Sequence, residues 1–325
     1  MKVLLLGYGH LGAALLDGLM VSEGCTVSGV FRWSGRLGES NAPMAYFDDS
    51  ERLLAEAVKR YGLDDLHCRG VNQYDFVAQL QKRRPDVLLI GSWGEILKPH
   101  ILQFPGLRVI NCHPSLLPKH RGANPYVSAI RAGETQGGVT FHDVTEGIDA
   151  GAILLQQPVA IRPEETGGDL RERCAETARG MVPVLIGKLA VPGFTGTPQD
   201  ESVASHYKNV TLEDGLFDWS AAPQALHNQI RALQPWMDCY GFANGRRLIT
   251  FKKLAVNTVQ PHGAAAGTLL GVSRETLWVA SAEPTTRLGL LHYRIQLGES
   301  LLPESLSRWL APLLLKPGQI LGPRR

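Results

Sequence analysis

The sequence has few cysteines, and they form no pattern. The five are odd in number and widely separated: Cys25, Cys68, Cys112, Cys174 and Cys239. Disulfide frameworks and zinc ribbons need cysteines paired at short, regular spacings, so the sequence predicts neither. Scattered free thiols are typical of a reducing compartment, and we expect the protein to be cytoplasmic.

Long apolar runs and a strong net charge are also missing. The apolar start, residues 3–6, is only as long as a buried strand, and no run approaches the roughly 20 residues of a membrane span. Nothing resembles a basic segment followed by a long apolar one, so we expect neither secretion nor a membrane partner. A formal net charge of +2 gives no global sign of a nucleic-acid partner, although it is compatible with local basic patches.

What is present is an ordinary globular composition, with 325 residues of which 44% are hydrophobic, enough for about two domains. Apolar strands and amphipathic helices alternate through the first half, which predicts an α/β domain with a Rossmann-like, mostly parallel sheet. The predicted strands cover residues 3–6, 26–31, 86–90, 109–111, 138–142 and 153–161, and the predicted helices cover 13–20, 51–61, 74–83 and 169–189.

Prolines and glycines at residues 192–198 break this alternation. Beyond them, the pattern predicts a helix at 222–233, a hairpin around Asn244-Gly245 and short strands at 267–272 and 277–280. We therefore predict a first domain at residues 1–190, a linker at 191–206, and a small, β-rich, barrel-like domain at 207–325.

A glycine-rich turn, Gly7-Tyr8-Gly9-His10-Leu11-Gly12, joins the first strand to the first helix. Its spacing matches the dinucleotide-binding fingerprint, so an NAD- or NADP-dependent oxidoreductase is one candidate function. NAD binding also needs an acidic residue near the end of the second strand, where the sequence instead has Arg32, a residue suited to the extra phosphate of NADP. The alternative is structural, because such glycines also allow a tight turn and close helix packing without any nucleotide.

The most informative block runs from Asn111 to Gly151. Asn111 and His113 stand at i and i+2 where a predicted strand ends, so both side chains leave the same face near its carboxyl end, where α/β sheets bind ligands. Asp149 follows on a turn that ends at Gly151. A carboxamide donor beside an imidazole suits the oxyanion formed in acyl transfer, and a carboxylate can assist the proton transfer.

Other interpretations of these residues stay open. Ser115 could be a nucleophile activated by His113, although it is not in a Gly-x-Ser-x-Gly elbow. His113, His142 and Asp149 could bind a metal, but no helical histidine pair or Cys-x-x-Cys accompanies them, and we predict no metal. The same residues could also be purely structural, capping turns and strand ends.

The block as a whole resembles the folate-dependent formyltransferase family. The motifs that carry the resemblance are Asn111-Cys112-His113-Pro114-Ser115-Leu116-Leu117-Pro118, Arg121-Gly122, Gly138-Val139-Thr140-Phe141-His142 and Asp149-Ala150-Gly151, followed by Phe217-Asp218-Trp219 and Arg231-Ala232-x-x-Pro235-Trp236. The resemblance implies an enzyme that moves a formyl group from 10-formyltetrahydrofolate to a primary amine, without a metal. It also implies that Asn111, His113 and Asp149 are the catalytic residues.

In the implied mechanism, Asn111 and a protonated His113 stabilise the oxyanion, while Asp149 pairs with the imidazole and helps to remove the amine proton. A buried carboxylate beside His113 would raise the pKa of its imidazole toward the working pH. The same resemblance implies a set of folate-binding residues: Glu95, Ile96, Leu97, Ser115, Leu116, Leu117, Pro118, Thr145, Glu146, Gly147 and Ile148.

The acceptor is less constrained, because the family acts on methionyl-tRNA, on amino sugars carried by nucleotides and on small amines such as hydroxyornithine. Its tRNA enzymes usually have a longer basic loop after the second strand, whereas residues 32–50 contain only Arg32 and Arg36 as cations. In the other direction, Arg246-Arg247 and Lys252-Lys253 on the predicted hairpin could meet tRNA phosphates.

We therefore expect a small or nucleotide-linked amine, of amino-sugar or hydroxyornithine type, as the acceptor. Methionyl-tRNA is the alternative acceptor, and an NADP-dependent oxidoreductase is a more distant alternative function. A non-catalytic folate or amine sensor on the same fold would give the three polar residues no purpose.

Overall fold

The computed structural model describes residues 1–33 and 51–324, and the first half of the chain is an α/β domain built on one sheet. Its strands, with one short strand outside the sheet, are β1 (Lys2–Gly7), β2 (Thr26–Arg32), β3 (Asp65–Leu66), β4 (Val87–Gly91), β5 (Arg108–His113), β6 (Arg121–Gly122), β7 (Gln136–Asp143) and β8 (Ile153–Ala160). All except β6 join a seven-stranded sheet in the order β3-β2-β1-β4-β5-β7-β8. The strands from β3 to β5 pair in parallel, and β7 and β8 add an antiparallel edge. This confirms the predicted Rossmann-like, mostly parallel sheet.

Helices cover both faces of this sheet. They are α1 (Gly9–Met20), α2 (Glu51–Arg60), α3 (Tyr74–Arg83), α4 (Pro99–Leu102), α5 (Pro125–Arg131) and α6 (Gly167–Leu189). Along β1, Val3 and Leu5 join the core that contains α1 and α6, whereas Leu4 and Leu6 join the core beneath α3 and α4. Because successive strand residues face opposite sides, a strand buried on both faces is apolar throughout.

The glycine-rich turn has a packing role. A Cβ atom on Gly7 would lie 2.9 Å from Cδ2 of Leu54 and 3.0 Å from the Cα of Gly12. The absence of side chains therefore lets β1, α1 and α2 pack closely, as the structural interpretation expects. Arg32 forms an ion pair with Asp65 at 2.7 Å. Arg36, the other cation of residues 32–50, lies outside the described residues.

The second half of the chain is β-rich, as predicted. Its elements are β9 (His206–Tyr207), α7 (Pro223–Leu233), β10 (Cys239–Ala243), β11 (Arg247–Phe251), β12 (Lys253–Thr258), β13 (Leu269–Val272), β14 (Leu277–Ala280), β15 (Thr286–Leu291), β16 (Arg294–Leu297), β17 (Ser300–Leu301), α8 (Glu304–Leu314) and β18 (Leu321–Gly322). They form a five-stranded sheet, β17-β16-β11-β10-β18, and a four-stranded sheet, β12-β15-β14-β13. The predicted hairpin joins β10 to β11, and Asn244 and Gly245 both have positive φ, at 49° and 69°.

Helix α7 fastens this second half to the first. The buried guanidinium of Arg231 donates to the backbone oxygen atoms of Arg162 and Glu165 at 3.3 and 3.0 Å. A Cβ atom on Gly167, the first residue of α6, would lie 2.3 Å from the backbone oxygen of Ala232. The Arg231–Trp236 motif therefore packs the second half of the chain against the segment that leads into α6. Over the parts of the chain that the structure describes, no helix combines the length and apolar character needed to cross a bilayer.

Candidate active site

Strand β5 directs the predicted catalytic side chains to one face of the sheet. Val109 belongs to the core beneath α3 and α4, whereas Ile110 and Cys112 belong to the opposite core. Because side chains alternate along a strand, Asn111 and His113 leave the sheet on the same side as Val109. Asn111 is half-buried and His113 is buried, so the surrounding protein limits the orientation of both side chains.

The turn after β7 brings Asp149 to these two residues. Its Oδ1 atom lies 3.4 Å from Nδ2 of Asn111, and its Oδ2 atom lies 3.6 Å from Nδ1 of His113. The Gly122 backbone amide also donates to Oδ2 at 2.8 Å. The structure thus places the three residues side by side.

Two features of this turn explain its sequence. Asp149 has a φ of 49°, in the left-handed region that residues with a Cβ rarely adopt. Gly151 passes so close to the neighbouring strand that a Cβ atom would lie 1.7 Å from the backbone oxygen of Asp143. Glycine is therefore the residue that lets the turn close and return Asp149 to the sheet.

A fourth polar residue, His142, completes the cluster. It lies on β7 directly opposite Asn111 in the antiparallel pair, and it is buried. Its Nδ1 donates to the backbone oxygen of Asp143 at 2.8 Å, which leaves Nε2 to accept from Nδ2 of Asn111 at 3.2 Å. From the sequence, His142 was a member of the Gly138–His142 motif and a candidate metal ligand. Its contact with Asn111 could not be predicted, because it depends on a strand register that the sequence does not display.

The imidazole of His113 is held on its other side by a backbone carbonyl. Its Nε2 donates to the backbone oxygen of His120 at 2.8 Å. In the neutral tautomer, Nδ1 is then unprotonated and faces the carboxylate of Asp149. This arrangement suits a histidine that gains a proton at Nδ1, since the carboxylate would stabilise the resulting imidazolium.

The electrostatics of the pair correct one expectation. Burial, the largest influence, lowers the pKa of His113 below its ordinary value, and the opposing effect of Asp149 is smaller. Asp149 therefore raises the pKa of His113 as expected, but burial outweighs it and the net shift is downward, which favours the neutral imidazole at pH 7. For Asp149, burial alone raises the pKa, but the neighbouring His113 and the hydrogen bond from the Gly122 amide hold it far below its usual range.

Ser115 is engaged in the loop and not poised as a nucleophile. Its hydroxyl donates to the backbone oxygen of Lys119 at 2.7 Å, and its side chain is buried. Its own backbone oxygen accepts from the Thr140 hydroxyl at 2.7 Å, and Gln156 donates to the backbone oxygen of Leu117 at 2.9 Å. These bonds attach residues 115–118 to β7 and β8 beneath them.

The residues predicted to bind folate differ in accessibility. Ile96 and residues 145–148 are exposed, with 72% of Ile96 and 56% of Ile148 accessible. Leu97, Ser115 and Leu117 are buried, and Glu95, Leu116 and Pro118 are half-buried. The Glu95 carboxylate accepts from the Val71 backbone amide at 3.1 Å. The exposed members can therefore meet a ligand directly, whereas the buried ones can only shape the loops that do.

Within residues 1–33 and 51–324, no group of histidine, cysteine, aspartate or glutamate side chains is placed to hold a metal ion.

Comparison with known sequences gives matches along most of the chain. Residues 2–186 match the family described as formyl transferase, and residues 209–301 match the formyl transferase C-terminal domain. A methionyl-tRNA formyltransferase of Pseudomonas fluorescens is 34% identical over 247 residues, which cover 74% of this chain and 76% of that protein. One from Synechococcus is 38% identical over 214 residues, which cover 64% of this chain and 66% of that protein.

Solved structures share the fold at lower identity. An N-formyltransferase from Helicobacter canadensis, in complex with folinic acid and dTDP-3-aminofucose, has a TM-score of 0.61 at 15% identity, covering 90% of this chain and 99% of that one. HypX from Aquifex aeolicus, in complex with tetrahydrofolic acid, has a TM-score of 0.62 at 17% identity and covers 97% of this chain. The chain spans about half of HypX, 47% of its length.

Proposed function

The chain belongs to the folate-dependent formyl transferase family, and we propose that it moves the formyl group of 10-formyltetrahydrofolate to the α-amino group of methionyl-tRNA. The observation that carries this acceptor is the identity to relatives named methionyl-tRNA formyltransferase. These relatives favour methionyl-tRNA over the small or nucleotide-linked amine that the sequence alone led us to expect. We further propose a cytoplasmic location, which agrees with five free cysteines.

The chemistry requires a proton carrier. The amine nitrogen attacks the formyl carbon, a tetrahedral intermediate forms, and the bond between that carbon and N10 then breaks. The amine loses one proton in this sequence and N10 gains one. We assign the transfer to His113 with Asp149, because a neutral Nδ1 atom 3.6 Å from a carboxylate oxygen can take up a proton and be stabilised there.

The oxyanion requires a donor, and we assign this role to Asn111. One amide hydrogen of Asn111 points at Nε2 of His142, which fixes the plane of the carboxamide. The other makes only a long contact of 3.4 Å with Oδ1 of Asp149. An oxyanion can displace this weaker contact and receive a stronger, charge-assisted hydrogen bond.

The accessible residues fit a folate. Ile96 and Ile148 expose apolar side chains on the loops that follow β4 and β7, and Asp149 comes directly after Ile148 in the chain. Apolar walls beside a few fixed polar groups are typical of small-molecule sites. We propose that residues 95–97, 115–118 and 145–148 form the co-substrate site, the exposed members by contacting the folate and the buried ones by shaping the loops.

The test is an acceptor comparison. Purified protein receives 10-formyltetrahydrofolate with methionyl-tRNA, nucleotide-linked amino sugars or hydroxyornithine in parallel, and formation of tetrahydrofolate is followed, with Asn111→Ala as the control. Turnover with methionyl-tRNA that is lost in the variant supports the proposal. Turnover only with another amine overturns the acceptor, and no acceptor-dependent turnover contradicts the proposal as a whole.

A nucleotide-linked amino sugar is the second candidate acceptor. The near-neutral net charge of +2 favours it, because tRNA binding depends on cations that neutralise phosphates. Arg246 in the β10–β11 turn, and Lys252 and Lys253 where β12 begins, are exposed, but Arg247 is half-buried and donates to the backbone oxygen of Leu314. For a tRNA acceptor, kcat/KM should fall steeply with rising salt, whereas a small acceptor should show a shallow dependence.

A further inference from the structure

The segment between the two halves lies against the catalytic loops. We call residues 197–207 the strap. Thr197 bridges to Ile153 at the start of β8, and β9 pairs in parallel with β6. Between these two attachments, the strap passes the turn that carries Asp149.

Within the strap, Gln199 is bound directly to that turn. Its Nε2 atom donates to the backbone oxygen atoms of Asp149 and Gly151, both at 2.7 Å. Its Oε1 atom accepts from Nε and Nη2 of Arg121 at 3.1 and 2.8 Å. The carboxamide is therefore saturated, with each of its atoms assigned a fixed partner.

Arg121 holds Gln199 in this orientation. Its side chain is buried, and its guanidinium also makes a paired contact with the Glu201 carboxylate at 2.7 and 2.9 Å. A planar guanidinium bound at both edges is a rigid support. The chain of contacts thus runs from Glu201 through Arg121 and Gln199 to the backbone of Asp149.

The backbone of Asp149 needs such a support, because its φ of 49° is unfavourable for a residue with a Cβ. Hydrogen bonds to the carbonyl groups of Asp149 and Gly151 hold the turn on both sides of Ala150. Without them, the turn can relax toward a more common conformation and carry the carboxylate away from His113.

We propose that Gln199 is a positioning residue for formyl transfer, which fixes the Asp149 turn so that the carboxylate faces His113. The inference rests on the proposed function, and it assigns a supporting role in the active site to a residue of the segment between the two halves. Gln199 acts through the backbone of the Asp149 turn. Misplacement of a reacting group by about 1 Å can cost roughly 100-fold in rate, so a large effect on kcat is expected.

The experiment compares Gln199→Met with a matched control, Gln229→Met. Gln229 on α7 is also half-buried, and its Nε2 donates to two backbone oxygen atoms, those of Asp214 and Leu216, at 2.7 and 3.0 Å. Both variants lose a carboxamide that bridges two carbonyl groups, and Gln199→Met also removes an acceptor from Arg121, so thermal unfolding of both is measured beside kcat. We expect kcat to fall about 10- to 100-fold in Gln199→Met with a small change in KM for the folate, and to stay within about 2-fold of wild type in Gln229→Met.

A second comparison separates Gln199 from a general structural role. Gln199→Glu keeps the acceptor for Arg121 but places carboxylate oxygen atoms against the two carbonyl groups, so we expect it to lose activity like Gln199→Met. In an Asp149→Asn background, adding Gln199→Met should cost less than about 2-fold, because residues that act through one another are not additive. Equal kcat values in the Gln199 and Gln229 variants, or a full additional loss on top of Asp149→Asn, would overturn the inference. Absence of formyl transfer by the wild-type protein would instead contradict the proposed function.

Discussion

At the scale of single residues, two backbone carbonyl groups orient the candidate site. The backbone oxygen of Asp143 accepts a hydrogen bond from Nδ1 of His142, and that of His120 accepts one from Nε2 of His113. Each imidazole thereby presents its unprotonated nitrogen inward, one to Asn111 and one to Asp149. The two rings use opposite tautomers, so their roles differ even though both are buried histidines.

Replacing Asn111 tests the oxyanion donor. In Asn111→Ala we expect kcat to fall about 10²- to 10³-fold, because one preorganised donor to an oxyanion is typically worth that factor. Folate affinity should change little, since the carboxamide binds its strongest partner only in the transition state. Steady-state kinetics with 10-formyltetrahydrofolate and equilibrium binding of tetrahydrofolate measure the two quantities. A loss of affinity as large as the loss of rate would argue against this role.

The titration of His113 gives a second prediction. Burial holds its pKa below 6.5, and the Asp149 carboxylate opposes that effect. In Asp149→Asn the opposing charge is gone, so the pKa of His113 should fall further and the ring should stay neutral to lower pH. Nuclear magnetic resonance titration of the labelled ring in both proteins measures the shift directly. A pKa that rises in the variant would show that the carboxylate does not act on this ring.

At the scale of elements, strands β7 and β8 form a platform beneath the 115–118 loop. Gly138 on β7 is part of this platform, because a Cβ atom there would lie 2.3 Å from Cδ2 of Leu116 and 2.8 Å from the backbone oxygen of Gln157. The loop can approach β7 only where the side chain is missing. Three residues of the Gly-Val-Thr-x-His motif thus have a role. Gly138 leaves space for the Leu116 side chain, Thr140 donates to the backbone oxygen of Ser115, and His142 accepts from Asn111.

Gly138→Ala should therefore displace the loop. We expect weaker folate binding and a loss of stability of about 1–3 kcal/mol, the usual cost of overpacking a well-packed site. Gly187→Ala is the matched control, because Gly187 is exposed on α6 and a Cβ there meets no atom within 4 Å. That control should be stabilised by about 0.5–1 kcal/mol, since alanine favours helix more than glycine. Denaturant unfolding measures the stability of both variants, and tetrahydrofolate titration measures their folate binding. Unchanged binding in Gly138→Ala would show that the 115–118 loop does not depend on this contact with β7.

Much at this scale could be predicted from the sequence. Buried strands such as β4 are continuous apolar runs, and helix α6 begins close to its predicted start because Thr166 and Asp169 form a capping box. Helix α5 and the strap were not predicted. The strap has no periodicity of its own, and its fold depends on distant partners such as Arg121. For the same reason, Asn111, His113 and Asp149 could be predicted from motifs as candidate catalytic residues, whereas the supporting contacts of His142 and Gln199 could not.

At the scale of the whole molecule, the two halves are joined by buried polar contacts and not only by the linker. Arg231 on α7 is hydrogen-bonded to the Asn228 side chain as well as to the carbonyl groups of Arg162 and Glu165, which precede α6. Glu165 is itself buried and bound to Arg173 at 2.6 Å. The strap and α7 therefore bind the second half to the first at two separate places, one of them the Asp149 turn.

Removing the Arg231 guanidinium should loosen this junction. In Arg231→Met we expect a loss of about 1–3 kcal/mol, because the buried carbonyl group of Glu165 loses its charged donor, while that of Arg162 keeps the Glu165 backbone amide as a partner. Arg246→Met, at an exposed position on the hairpin, is the control and should change stability by less than about 0.5 kcal/mol. Thermal unfolding and the rate of proteolytic cleavage within residues 191–206 are the measurements. Faster cleavage with an earlier transition in Arg231→Met alone is the expected result, and equal behaviour of the two variants would show that other contacts hold the halves together.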